Sequence, residues 1–267
     1  MSTAPAIRAY LGGSFNPVHY SHIQMAMYVY QCLAPIAAAQ QRPLHVSLLP
    51  NARSPFKEQS LDPAHRLAML TLAIENTPLQ ISELELWQTP PVYSIDSVRT
   101  LHECYPNDSL IFIMGMDSAR SLDKWKNGLE LTDYVHLWIF NRSNSANFLP
   151  MNDVMTANER IDHFSTQDIA HLITELPSAL QGQITHRPTE LTRVLNTFAE
   201  TGKPLQNCAK GRIYIDPRPV TALSSTQIRK QLHTIPTITD NPPNLLAKWL
   251  NPTVYQYIIA HQLYSAV

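Results

Sequence analysis

The chain has 267 residues, 44% of them hydrophobic, with 20 Lys and Arg against 21 Asp and Glu for a formal net charge of −1. That length suits one domain over residues 1–267 better than two full ones. The balanced charge excludes a broad basic surface, so nucleic acid is not an expected partner and any anion must be bound locally.

Residues 7 to 22 begin as a short apolar strand, Ile7–Leu11, and continue through Gly12-Gly13 to a helix entry carrying His19 and His22. The chain has only seven glycines, so the doublet marks backbone that needs an unusual φ or close approach of a ligand. His19 and His22 fall on one face of a helix predicted over Tyr20–Leu33, near its positive end. Imidazole N–H groups, free helix N–H groups and a turn without side chains together form a phosphate cradle. The His-x-x-His spacing also fits two zinc ligands. No third ligand lies at a telling distance, so no metal is assigned to the pair.

Further apolar runs of strand length lie at Leu44–Leu49, Leu79–Leu86, Leu110–Met114, Val135–Phe140 and Arg212–Ile215. Helical patterns over Pro63–Ile74 and Ser94–Cys104 separate them, entered at Asp62-Pro63 and Tyr93-Ser94. Strands alternating with helices imply an α/β fold with a doubly wound parallel sheet. In such sheets ligands bind beyond the carboxyl ends of the strands, where the strand order reverses. Gly12-Gly13, Pro50-Asn51, Gly115-Met116-Asp117 and Pro219–Ser225 each follow a predicted strand and gather at that rim.

Residues 143–210 break the rhythm as a helical insertion before the last strand, with helices over Thr166–Leu176 and Thr189–Glu200, the second closed by Gly202-Lys203-Pro204. A surface excursion, a lid or an oligomer contact all fit it, which leaves room for a homo-oligomer. Residues 220–267 form a C-terminal helical segment, where Pro242–Leu263 reads as two helices split at Asn251-Pro252. The cysteines, Cys32, Cys104 and Cys208, are odd in number and far apart, which points to a reducing, cytoplasmic setting. The N-terminus lacks a stretch suited to a signal peptide, and no run approaches the roughly 20 apolar residues of a membrane helix.

The segment Leu223-Ser224-Ser225-Thr226-Gln227-Ile228-Arg229-Lys230 follows the last predicted strand and opens a helix. Ser224 with Gln227 three residues later fits a capping box. Arg229 and Lys230 stand within two turns of the helix's positive end, where the macrodipole disfavours cations by a few tenths of a kcal/mol. An anion held between dipole and side chains would offset that cost. Alone, the motif reads as a capped surface helix; beside the first motif, it reads as the second half of an anion site.

Gly-Gly-Ser-Phe-Asn-Pro-Val-His-Tyr-Ser-His together with Ser-Ser-Thr-Gln-Ile-Arg resembles the nucleotidyltransferase superfamily of Rossmann-like adenylyltransferases. Within it the chain is most similar to the bacterial nicotinate-mononucleotide adenylyltransferases. Pro50-Asn51 with Lys57, Ser82-Glu83-Leu84-Glu85-Leu86, Pro91-Val92-Tyr93-Ser94, Met114-Gly115-Met116-Asp117-Ser118 followed by Trp125, and Phe140-Asn141-Arg142 add to the match. It covers about residues 5–142 and 211–264 and leaves the insertion unassigned. The resemblance implies direct attack of a mononucleotide phosphate on the α-phosphorus of ATP, with Mg2+ neutralising the phosphates and pyrophosphate leaving. By the same resemblance, His19, His22 and Arg229 are the catalytic residues. Gly12, Gly13, Ser14, Phe15, Asp117, Ser224, Ser225 and Thr226 join them in binding ATP, and Lys57, Tyr93, Ser94, Trp125 and Arg142 bind nicotinate mononucleotide.

Three positions depart from the usual pattern: Asn16 where Asp is common, Ser21 where Gly separates the histidines, and Phe56 where His precedes Lys57. Ser21 brings a side chain to where adenosine comes close, and Phe56 removes a phosphate donor. Other acceptors within the superfamily, nicotinamide mononucleotide or phosphopantetheine, share both main motifs. A class I aminoacyl-tRNA synthetase fragment shares the helix-entry signature but lacks a lysine-rich second motif. A non-catalytic nucleotide-binding regulator fits the three departures.

Overall fold

The computed structural model describes residues 4–52, 61–143, 164–195, 209–233 and 244–264. Its centre is a seven-stranded sheet in which every pairing is parallel. The strands are β1 (Ile7–Gly13), β2 (Leu44–Pro50), β3 (Gln80–Ile81), β4 (Ser109–Gly115), β5 (His136–Ser143), β6 (Ile184–Thr185) and β7 (Ile213–Thr221), in the order β3-β2-β1-β4-β5-β7-β6. The winding direction reverses between β1 and β4, which opens a crevice there at the carboxyl rim. The doubly wound parallel sheet expected from the sequence is the observed fold.

Helices α1 (Tyr20–Ala39), α2 (Pro63–Ile74), α8 (Ser225–His233), α9 (Asn244–Ala247) and α10 (Pro252–Ala260) contribute Ile23, Met69, Ile228, Leu246 and Val254 to one buried cluster. The other cluster takes Val98 from α3 (Ser94–Cys104), Ala119 from α4 (Met116–Ala119), Leu131 from α5 (Leu131–Tyr134), Leu172 from α6 (Thr166–Thr174) and Leu180 from α7 (Ser178–Gln181). Among the described residues no helix is long and apolar enough to cross a membrane. Asp62 and Asn251 accept N–H bonds from Ala64 and Thr253, as Asx-Pro helix entries should.

Four elements differ from their sequence reading. The run Leu79–Leu86 is a strand only at Gln80–Ile81; after it the chain turns, with Leu86 N–H donating to the Glu83 carbonyl. Helix α1 continues to Ala39 with Pro35 inside it, six residues beyond Leu33. Strand β7 runs on to Thr221 through Pro217 and Pro219, because its ladder with β5 shifts register between Phe140 and Arg142. The prolines, which have no N–H to give, thus stand in a bulge.

The fourth difference lies in the insertion. Its described stretch 164–195 adds the edge strand β6; of the helix expected over Thr189–Glu200, the described residues form a 3-10 turn at Pro188–Thr192, and 196–200 lie outside the described residues. Leu191 of that turn is fully buried in the core, and Arg42 and Ser109 both donate to the Thr192 carbonyl. The Gly202-Lys203-Pro204 stop and Cys208 lie outside the described residues.

His136 pins the end of this turn to the sheet. The Arg212 N–H donates to its Nδ1 at 2.9 Å, and its Nε2–H donates to the Arg193 carbonyl at 2.9 Å. Burial lowers its pKa to about 4, with the Arg193 and Arg212 charges adding to the effect. The unfolded chain takes up this proton near pH 6.5 and the folded one only near 4, so the stabilisation is complete above 6.5 and disappears as pH falls through that window. We expect up to about 3 kcal/mol of stability to go with it. Urea unfolding of wild type and His136→Asn at pH 7.5 and 4.5 should show the larger pH loss in wild type; parallel losses would contradict this.

Candidate active site

The loop after β1 carries the first motif, and its glycines serve the protein's own rings. Neither Gly12 nor Gly13 has a positive φ, which corrects the expectation of unusual backbone there. A Cβ on Gly12 would stand 2.7 Å from Phe112 Cζ, and one on Gly13 would stand 3.0 Å from Phe15 Cζ. The left-handed conformation falls instead on Phe15, with φ 44°. Its fully buried ring meets the His22 imidazole edge-on at 4.9 Å between centroids.

His19 is the N-cap of α1 and His22 lies in its first turn. Their rings stack at 3.7 Å with 27° between planes. The His19 N–H donates to His22 Nδ1 at 3.3 Å, which leaves the proton of a neutral His22 on Nε2. His19 is 3% exposed. Burial, then the neighbouring His22 and Arg142, hold its pKa well below 6.5, so it is neutral at physiological pH. Its Nδ1 is buried without a hydrogen-bond partner.

The second motif meets the first at two carbonyls. Arg229 Nη1 donates to the Asn16 carbonyl at 2.6 Å and Ser225 Oγ to the Pro17 carbonyl at 2.9 Å. The expected capping box is present: Gln227 N–H donates to Ser224 Oγ at 3.2 Å, and Ser224 N–H to Gln227 Oε1 at 2.9 Å. Arg229 Nη2 also donates to Thr226 Oγ1. The start of α8 is thus held against the loop that carries the imidazoles.

Two of the departures have local explanations. Ser21 turns its Oγ to the Thr221 carbonyl at 3.0 Å, tying α1 to β7. Asn16 accepts a hydrogen bond from the Tyr264 hydroxyl on its Oδ1. Phe56 and Lys57 lie outside the described residues.

Arg142, at the end of β5, lies centrally. Its neighbours are the Asp117 carboxylate at 3.7 Å, the Leu223 carbonyl at 3.4 Å and the charge-sensitive His19, and its Nε is buried without a partner. Asp117, on α4, is well exposed and also faces Arg120. On the far side of the sheet, Tyr93 caps α3 and Ser94 is its first residue. Trp125 is half-buried against that second core cluster. Lys126, unremarked in the sequence, places its ammonium 4.3 Å over the Tyr93 ring and 3.3 Å from Asp96. The two faces thus present a corner of imidazoles and guanidinium groups and an aromatic corner.

A family model described as cytidylyltransferase-like matches residues 10–231. The chain belongs to the cytidylyltransferase-like family. Two bacterial relatives, from Pseudoalteromonas atlantica and Idiomarina loihiensis, are each named "Probable nicotinate-nucleotide adenylyltransferase". Both are 30% identical to this chain, the first over 95% of it and 93% of the relative, the second over 97% and 99%. A solved Plasmodium falciparum nicotinic acid mononucleotide adenylyltransferase, complexed with NaAD, matches with a TM-score of 0.61 over 97% of each chain. At 18% identity it speaks to the fold alone.

The sequence reading did not single out Lys126, over the Tyr93 ring, or Tyr264, bonded to Asn16. Lys126 had a signal, its position next to Trp125. Tyr264 stands 248 residues from its partner Asn16, with no local pattern to mark it.

The packing around the doublet can be tested. Gly12→Ala should destabilise the protein by about 1–3 kcal/mol through its clash with Phe112. In a Phe112→Leu background the same substitution should cost less than half as much by urea unfolding. An equal cost in both backgrounds would show that the ring is not what Gly12 accommodates.

Proposed function

We propose that this protein transfers the adenylyl group of ATP to nicotinate mononucleotide, giving deamido-NAD and pyrophosphate in NAD biosynthesis. The observation that carries this reading is the junction of Arg229 and Ser225 with the carbonyls of Asn16 and Pro17, three and two residues before the His19 imidazole. On that ground we assign the imidazole, guanidinium and helix N–H donors to the triphosphate. A phosphate oxygen of the mononucleotide attacks the α-phosphorus, the bond to the β-phosphate oxygen breaks, and pyrophosphate takes the electron pair. Such a transfer needs positioning and charge stabilisation rather than a protein nucleophile.

His22 donates Nε2–H to the α-phosphate as charge builds there, with His19 neutral beneath it. Arg229 and the α8 N–H groups hold the β- and γ-phosphates as they depart. The backbone of Gly12, Gly13, Ser14 and Phe15 borders the same space, and Asp117 lies toward adenosine. Arg142, between the corners, receives the mononucleotide phosphate with Lys57. Trp125 stacks on the pyridine ring, and its carboxylate meets the N-terminal N–H groups of α3 at Tyr93-Ser94.

Members of this family use a divalent metal with ATP, and we propose Mg2+. Among the described residues no group of three or more His, Cys, Asp or Glu is arranged to hold a metal ion. Asp117, the carboxylate nearest the rim, is already engaged with Arg142 and Arg120. The donor set suits Mg2+ that arrives on the triphosphate, as MgATP, with phosphate oxygens and water as ligands. The free thiols Cys32 and Cys104 support the cytoplasm as the compartment.

Incubation with MgATP and, separately, nicotinate mononucleotide, nicotinamide mononucleotide and phosphopantetheine should release pyrophosphate fastest with the first. Release with phosphopantetheine alone would overturn the acceptor and leave adenylyl transfer standing. His22→Ala should lower kcat by about 10²–10³-fold, as loss of one transition-state donor does, with an unchanged melting temperature. A wild-type rate in both His22→Ala and Arg229→Ala would remove their assigned roles.

A further inference from the structure

The β1–β2 ladder ends at Gly13↔Pro50, and its last rung is the Asn51 N–H donating to the Gly13 carbonyl at 3.0 Å. Just beyond it the two strands part into separate loops. Arg66, on α2, stands at that fork. It is fully buried, and its guanidinium takes the carbonyl next along each diverging strand. Nη1 donates to Ser14 O at 3.1 Å and Nη2 to Ala52 O at 2.7 Å, with the Asn51 amide oxygen 3.5 Å from Nη1. Its Nε has no partner, and among the described residues its guanidinium forms no ion pair. Burial disfavours its charge, with Tyr264 and Asp62 offsetting part of that effect, and a buried cation costs free energy, so this side chain does more than fill space.

We infer that Arg66 is a positioning residue that extends the ladder by one side-chain rung and sets the gap between the loop that follows β1 and the loop that follows β2. On the proposed function, on which this rests for the identity of the substrates, the first loop holds the triphosphate and the second leads to the mononucleotide. The planar fork reaches both carbonyls at once. A lysine, a point charge on a flexible stem, satisfies one. Order imposed on the first loop by a nucleotide therefore passes to the second through Arg66.

The test compares wild type with Arg66→Lys and with Arg66→Met, in steady-state kinetics and in hydrogen exchange of the segments 12–17 and 49–52 with and without MgATP. Wild type should show MgATP protecting both segments. Arg66→Lys should keep its melting temperature within a few degrees and its kcat within about threefold, while KM rises about fivefold or more for both substrates. In it, MgATP should protect 12–17 and no longer 49–52. Arg66→Met should show the same pattern more strongly; should it fail to fold, Arg66→Lys carries the test alone. Wild-type KM values with protection of 49–52 retained in Arg66→Lys would overturn the proposal, as would a fall in kcat alone. If wild type does not release pyrophosphate with nicotinate mononucleotide, the function is wrong, and the exchange measurement with MgATP still decides the role of Arg66.

Discussion

The carbonyl oxygens of Ser14, Asn16 and Pro17 accept, in turn, from Arg66 on α2 and from Arg229 and Ser225 on α8. The residues joined to Asn16 and Pro17 are 213 and 208 positions distant in sequence, so the chain must complete its sheet before the site exists. Loop closure over such lengths adds entropy cost only slowly with length, and the parallel strands between them bury enough apolar surface to offset it. Once joined, the loop cannot shift without breaking charge-assisted hydrogen bonds, which are among the stronger ones. The stacked imidazoles inherit their position from this anchored backbone.

Charge is distributed to the same end. The chain is nearly neutral, yet Arg66 and Arg229 hold one loop, Arg142 is close enough to lower the pKa of His19, and that buried imidazole is held neutral. A neutral His19 adds a donor without adding repulsion to its cationic neighbours, which include Arg142 by its effect on the imidazole. On the proposed function, anionic phosphates meet oriented donors there. The aromatic corner, across the sheet, pairs the half-buried Trp125 with Tyr93 under the Lys126 ammonium.

Elements with strong local signals were legible from sequence: the buried runs of β1, β2, β4 and β5, the Asx-Pro helix entries, and the capping box at Ser224. Strand β6 was not, because two residues carry no periodicity and its register is set only by β7. The C-terminal half of β7 was hidden by Pro217 and Pro219, which signal a break unless a bulge in the ladder accommodates them. The meeting of the two motifs that carry His19, His22 and Arg229 was legible, because each is a local pattern at the end of a strand. The site was opaque where a residue acts through tertiary contact: Arg66 lies in an ordinary amphipathic helix, and only its burial against two loop carbonyls reveals it. The glycine doublet was seen for a partly wrong reason, since the rings of Phe112 and Phe15 require it rather than backbone torsion.

The most direct measurement is a crystal structure of the protein with Mg2+ and a non-hydrolysable ATP analogue. The account predicts the α-phosphate within hydrogen-bond distance of His22 Nε2 and the β- and γ-phosphates against Arg229 and the first turn of α8. A triphosphate bound elsewhere on the rim, out of reach of both side chains, would contradict it.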